Sequence, residues 1–117
     1  MEQLIGRLDD LPEGKPWRFD AGHFSVCLVR RGERVFAIFD QCPHRQANLS
    51  AGTVGGTAVP SEVGVVEYGR DGEILRCPWH GWEFDLTDGR SLHDPEHQRV
   101  KSYAVRVKDG NAYFQTR

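Results

Sequence analysis

The feature that most constrains this chain is its punctuation. Glycine-bearing turn signals stand at Arg31-Gly32, Asp71-Gly72, Asp88-Gly89 and Asp109-Gly110, each between runs rich in strand-forming residues. Such short connections can join antiparallel strands but not parallel ones, so the spacing calls for hairpins. The first pair of runs is His23–Val29 and Arg34–Phe39. Phe24, Val26 and Leu28 alternate there with Ser25, Cys27 and Val29, the period of a strand. A second pair, Gly64–Tyr68 and Glu73–Arg76, flanks Asp71-Gly72. Trp82–Leu86 alternates apolar with acidic residues, and Ser102–Lys108 turns at Asp109-Gly110 into Asn111–Thr116.

No extended window carries the i, i+3, i+4 pattern of an amphipathic helix. Leu4, Leu8 and Leu11 hint only at a short turn that Pro12 would end. The expectation is an all-β fold, a small antiparallel sandwich or barrel. At 117 residues it forms a single domain, 1–117. Ala51–Thr57 is glycine-rich but is followed by neither a lysine nor a helix, so a phosphate-binding loop is not expected. Asn48-Leu49-Ser50 matches a glycosylation sequon and reads as coincidence in a chain without an export signal.

Composition removes several classes of function. Fifteen basic against seventeen acidic residues leave a net charge of −2, without the basic face of a nucleic-acid binder. No apolar run is long enough for a membrane span. The first residues, Met1–Arg7, carry neither an apolar stretch nor a twin arginine, which points to the cytoplasm. Three cysteines cannot all pair within one chain, and a reducing compartment disfavours disulfides, so inert burial or metal must account for them.

The chemistry concentrates in two short loops. Cys42-Pro43-His44-Arg45 follows the run ending at Phe39, and Cys77-Pro78-Trp79-His80-Gly81-Trp82 follows the run ending at Arg76. Each offers one thiolate and one imidazole, and each cysteine precedes a proline that fixes the backbone and removes a donor. Two Cys and two His can close a tetrahedral zinc site, although zinc knuckles usually keep like residues together. A binuclear centre with two Cys on one iron and two His on the other uses the mixed pairs directly.

The two boxes resemble the signatures of the Rieske family nearly letter for letter, and the second box extends the likeness through Glu83-Phe84-Asp85-Leu86. The resemblance implies a Rieske-like all-β fold whose cluster-binding part, roughly 41–86, is a subdomain of two loops. It implies one [2Fe–2S] cluster per chain, with Cys42 and Cys77 on the inner iron and His44 and His80 on the outer. The function implied is one-electron transfer, as a ferredoxin taking electrons from a reductase and passing them to a non-haem iron oxygenase, without bond chemistry of its own. A small Rieske subunit of a larger oxidoreductase is the alternative, and a zinc-stabilised binding module is the contrasting one.

The extra disulfide of high-potential members is absent here, because Ala47 and Trp79 stand at its positions. Trp82 and Phe84 stand where those members have hydroxyls. The resemblance therefore implies a potential near the low end of the Rieske range, around −150 mV. It also places the imidazole edges outward, with Trp79 and Arg45 beside them. The stretch 45–76 exceeds that of compact members, and the excess around Gly55 to Gly72 reads as an added loop plus hairpin.

Other candidates have plainer readings. Cys27 lies mid-strand and is expected to be a buried, inert thiol, and His23 a structural or surface residue. His93-Asp94-Pro95-Glu96-His97 holds the ingredients of a two-His, one-carboxylate iron site. Pro95 prevents the helix that would align such a pair, and the segment instead resembles the family's proline-bearing loop near the cluster.

Overall fold

The structure, a computed structural model, describes residues 2–42, 48–60, 66–78, 82–92 and 94–115, with side chains left out at 56–60 and 66–71. Among these residues there are strands and two 3-10 turns, and no α-helix. Among the described residues no helix is long and apolar enough to cross a membrane.

Ten strands form three antiparallel sheets. They are β1 (Glu2–Arg7), β2 (Trp17–Asp20), β3 (Ser25–Arg31), β4 (Arg34–Phe39), β5 (Thr53–Pro60), β6 (Val66–Arg76), β7 (Glu83–Asp85), β8 (Ser102–Tyr103), β9 (Val105–Lys108) and β10 (Asn111–Gln115). The sheets run β1-β10-β9, β2-β3-β4-β8 and β5-β6-β7. The second is the middle layer. Val26–Val29 of β3 and Val35–Ile38 of β4 are all buried, so this hairpin has an apolar neighbour on each face.

The faces alternate as pleating requires. Cys27, Val29, Phe36 and Ile38 join Cys42, Leu49, Leu75, Cys77, Phe84, Leu86 and Val100 in one buried cluster. Val26, Leu28, Val35 and Ala37 join Leu8, Leu11, Ala21, Ala112 and Phe114 in another. Full burial of a Leu, Ile or Phe side chain stabilises by about 1.5–3 kcal/mol, so the two clusters together hold the layers in place. On the second side, the Phe114 ring lies 5.3 Å from Tyr103 and 6.0 Å from Phe19, centroid to centroid.

Two of the expected turns form as their chemistry dictates. Gly32 and Glu33 connect β3 to β4, and Gly32 takes a φ of +63°, which glycine adopts without strain. Asp109 and Gly110 both take positive φ, 53° and 78°, as a type I′ hairpin requires.

Asp71-Gly72 is a correction. It does not reverse the chain but lies inside β6, which runs on through Arg76. Gly55 pairs with Ile74 and Thr57 with Gly69, so Gly56 stands opposite the whole stretch Arg70–Glu73. The positive φ of Gly72, 84°, serves a bulge there. The partner of β6 is the glycine-rich stretch after Gly52, found as β5, so that strand stands where the reading from Gly55 onward placed an added loop. The antiparallel pair between the boxes is thus β5 with β6, not the hairpin expected around Asp71-Gly72, and residues 61–65 lie outside the described residues.

The amino-terminal stretch is also corrected. Leu4 lies in β1 and is 60% exposed, while Leu8 and Leu11 are buried at a 3-10 turn over Leu8–Asp10. The end of the chain is split more finely than expected. The chain leaves the middle sheet after Tyr103 and joins the outer sheet at Val105, with the Ala104 carbonyl accepting from the Gln115 N–H at 3.0 Å.

Candidate metal centre

Cys42 and Cys77 reach the same place from different sheets. Cys42 follows β4 of the middle layer and is 0% exposed, and Cys77 follows β6 and is 2% exposed. Both side chains belong to the buried cluster containing Leu49, Leu75, Phe84, Leu86 and Val100, with Phe39, Val54 and Trp82 packed against it. Neither is in a disulfide. His44 and His80, the expected imidazole partners, lie outside the described residues, as do Arg45, Ala47 and Trp79.

The first loop starts where β4 is doubly held. The Phe39 N–H donates to the Lys101 carbonyl at 2.8 Å and the Asp40 N–H to the Ser25 carbonyl at 3.1 Å. Its far end is the 3-10 turn Leu49–Ala51, with Leu49 fully buried and the Gly52 N–H returning to the Leu49 carbonyl at 2.9 Å. A carboxylate joins the two ends. Asp40 accepts the Ser50 N–H at 2.6 Å on one oxygen and the Ser50 hydroxyl at 2.7 Å on the other. Sequence reasoning missed this pair, because no local pattern links Asp40 to a serine ten residues further on. The Ser50 hydroxyl that completes the sequon is the one engaged here.

The second loop is closed by backbone and by an ion pair. The Cys77 N–H donates to the Trp82 carbonyl at 2.7 Å. One step outward, Arg76 and Glu83 are cross-strand partners whose side chains meet at 2.6 Å. At the stem of this loop the Arg76 carbonyl approaches Gly52 so closely that a Cβ there would collide with it. A side chain at position 52 would therefore push the end of the first loop away from the start of the second.

Cys27 and His23 fit the plainer readings of them. Cys27 is fully buried, and burial pushes its thiol well above the ordinary value, helped by the Asp40 carboxylate and partly offset by a backbone hydrogen bond at Trp17. It is a packed thiol and no nucleophile. His23 is exposed in the bend before β3, not within the strand. His97 is also exposed, with Nδ1 2.9 Å from the Asp94 carboxylate. His93 lies outside the described residues. The Asp94–Gln98 turn packs back through Ser91, whose N–H donates to the Gln98 carbonyl at 2.9 Å and which bridges to Phe84.

The chemistry of this donor set fits an iron–sulfur centre. Two buried thiols, neither in a disulfide, share one apolar cluster, Cys42 three residues past the end of β4 and Cys77 directly after β6. Each opens a loop whose sequence carries one imidazole.

Comparison with known proteins agrees. The family model for the Rieske [2Fe-2S] domain matches residues 1–104. The anthranilate 1,2-dioxygenase ferredoxin subunit of Burkholderia cepacia is 31% identical over 106 residues, which is 91% of this chain and 83% of that protein. The 3-phenylpropionate/cinnamic acid dioxygenase ferredoxin subunit of Photorhabdus laumondii is 30% identical over 115 residues, 97% of this chain and 94% of that one. Among solved structures, the ferredoxin of carbazole 1,9a-dioxygenase from Nocardioides aromaticivorans superposes with a TM-score of 0.78 at 26% identity, covering 100% of this chain and 99% of that one.

Proposed function

This chain belongs to the Rieske [2Fe–2S] domain family, and we propose that it serves as a one-electron carrier of the ferredoxin type for a non-haem iron oxygenase. Membership implies a Rieske-type [2Fe–2S] cluster. Cys42 and Cys77 would hold one iron through their thiolates, and His44 and His80 the other through their imidazoles, giving one cluster per chain. When bound, the cluster supplies a site that gains and loses a single electron.

The observation that carries this reading is the convergence of Cys42 and Cys77, buried and not disulfide-bonded, in one apolar cluster fed by two sheets. The chain's own residues have clear tasks in it. Leu49, Leu75, Phe84, Leu86 and Val100 keep water from the thiolate side. Low polarity there disfavours the added negative charge of reduction. Trp82 and Phe84 bring no hydroxyl to offset that, which supports the low potential, about −150 mV. The imidazole side is then the face offered to protein partners: a flavin- or nicotinamide-dependent reductase as donor and the oxygenase as acceptor. A reducing, cytoplasmic setting suits three cysteines of which none is in a disulfide.

One measurement tests the whole reading. Anaerobically purified protein is expected to be red-brown and to give a mixed-valence electron paramagnetic resonance signal on reduction. A colourless, zinc-loaded, redox-silent preparation would leave the binding-module alternative. Imidazole ligation adds a second signature. Deprotonation favours the oxidised form, so the potential is expected to fall as pH rises through the imidazole ionisation. A potential independent of pH into strongly alkaline solution refutes the assignment of His44 and His80.

A further inference from the structure

Among the described residues, Asp40 is the one acidic or basic side chain in the buried interior, 5% exposed. A carboxylate taken out of water is costly, and an apolar residue would fill the site more cheaply. Its two oxygens are spent on one residue: Oδ1 accepts the Ser50 N–H at 2.6 Å and Oδ2 the Ser50 hydroxyl at 2.7 Å. Asp40 stands two residues before Cys42, and Ser50 directly after Leu49, whose side chain shares the buried cluster with Cys42. The contact thus draws together the two ends of the loop that carries Cys42 and His44. The strand side of this closure is itself fixed, because the Asp40 N–H is held by the Ser25 carbonyl at 3.1 Å.

We propose that Asp40 and Ser50 act together as a clasp that positions the first ligand loop, so that Asp40 is a positioning residue for the cluster and not merely a packed side chain. Two short, charge-assisted hydrogen bonds from one serine leave that end of the loop little freedom. The clasp keeps the Cys42 thiolate and the His44 imidazole in place without touching the metal, as supporting residues around metal sites do. This inference rests on the reading that Cys42, His44, Cys77 and His80 hold a [2Fe–2S] cluster.

The test uses the full-length holoprotein, purified anaerobically, with iron and sulfide determined and the rate of iron release to an excess of chelator measured. Asp40→Ala is expected to speed release roughly 100-fold, the upper end of what losing a supporting residue costs. Ser50→Ala keeps the backbone donor and is expected to speed it about tenfold. Ser50→Ala carries the test if Asp40→Ala fails to fold. Asp40→Asn can accept from the Ser50 N–H and donate to the Ser50 oxygen, so it is expected to restore release to near the wild-type rate. The double variant Asp40→Ala/Ser50→Ala is expected to be no faster than Asp40→Ala alone, because the two residues act as one unit.

Release from loaded Ser50→Ala at the wild-type rate overturns the clasp, as does multiplicative loss in the double variant or failure of Asp40→Asn to restore retention. A wild-type protein without iron and sulfide overturns instead the functional reading on which the clasp rests.

Discussion

The loop after Phe39 is closed by a buried carboxylate, and the loop after Arg76 by a backbone hydrogen bond and a half-exposed ion pair. The lengths explain the difference. The second loop runs from Cys77 to Trp82 and is short enough for the strands β6 and β7 to close it as they would a hairpin. The first spans Gln41 to Leu49 and leads from one sheet to another, so no ladder crosses its base. Where no ladder is available, a side chain must tie the ends. A site built from two loops can thus be secured on one side by secondary structure alone and on the other only by a specific tertiary contact.

The sharpest way to break this comparison is at the thiols. Cys42→Ser and Cys77→Ser are each expected to abolish the cluster altogether, read as loss of visible absorbance and of the paramagnetic signal. A variant that retains full occupancy would remove its loop from the site.

Packing beside the two thiols gives the next largest effect. Leu49, at the end of the first loop, and Leu75, two residues before Cys77, are both 0% exposed. Leu49→Ala and Leu75→Ala are each expected to cost about 2–5 kcal/mol in denaturant unfolding. Leu49→Ala should also hasten cluster loss more than Leu75→Ala, because β6 remains paired on both sides around Leu75. Equal hastening would mean that the ladder gives the second loop no advantage.

The third thiol separates burial from ligation. Cys27 is held above its ordinary pKa in the fold, so the native state keeps a proton that the unfolded chain gives up. Stability from this source is complete below about pH 9 and is lost as pH rises beyond it, by at most about 1.4 kcal/mol per pH unit. Cys27→Val is expected to flatten that alkaline decline in the unfolding midpoint. An unchanged slope would assign the decline to other groups.

The smallest effect is at the ion pair beside the second loop. The Arg76 side chain is 53% exposed, so Glu83→Gln is expected to cost about 0.2–1 kcal/mol and to leave cluster retention unchanged. Faster iron release in that variant would show the second loop to be as dependent on side chains as the first.

What could be read from the sequence follows the same division between local and tertiary information. The β3–β4 and β9–β10 hairpins were legible because apolar alternation and a glycine turn sit side by side in the chain. The four candidate ligands stood out because residue type and spacing carry the chemistry; the structure brings Cys42 and Cys77 into one buried cluster, while His44 and His80 lie outside the described residues. Asp71-Gly72 misled because the positive φ of a turn glycine also suits a bulge, and only the partner strand decides between them. Strand β1 was hidden because Leu4, Leu8 and Leu11 imitate helical spacing, whereas Leu4 lies on the open face of an outer sheet. The clasp was illegible in principle. Asp40 and Ser50 are ordinary surface residue types, and nothing local says that they meet.

The bulge in β6 has a consequence of its own. In a regular ladder, adding or removing one residue turns every later side chain to the opposite face. Here Gly56 already faces the stretch Arg70–Glu73, and regular pairing resumes at Ile74, three residues before Cys77. Changes of length farther out along the hairpin can be absorbed at this joint before they reach the thiol. The hairpin is therefore where sequence can be inserted, a spectroscopic label attached or an affinity handle grafted while the redox end keeps its register.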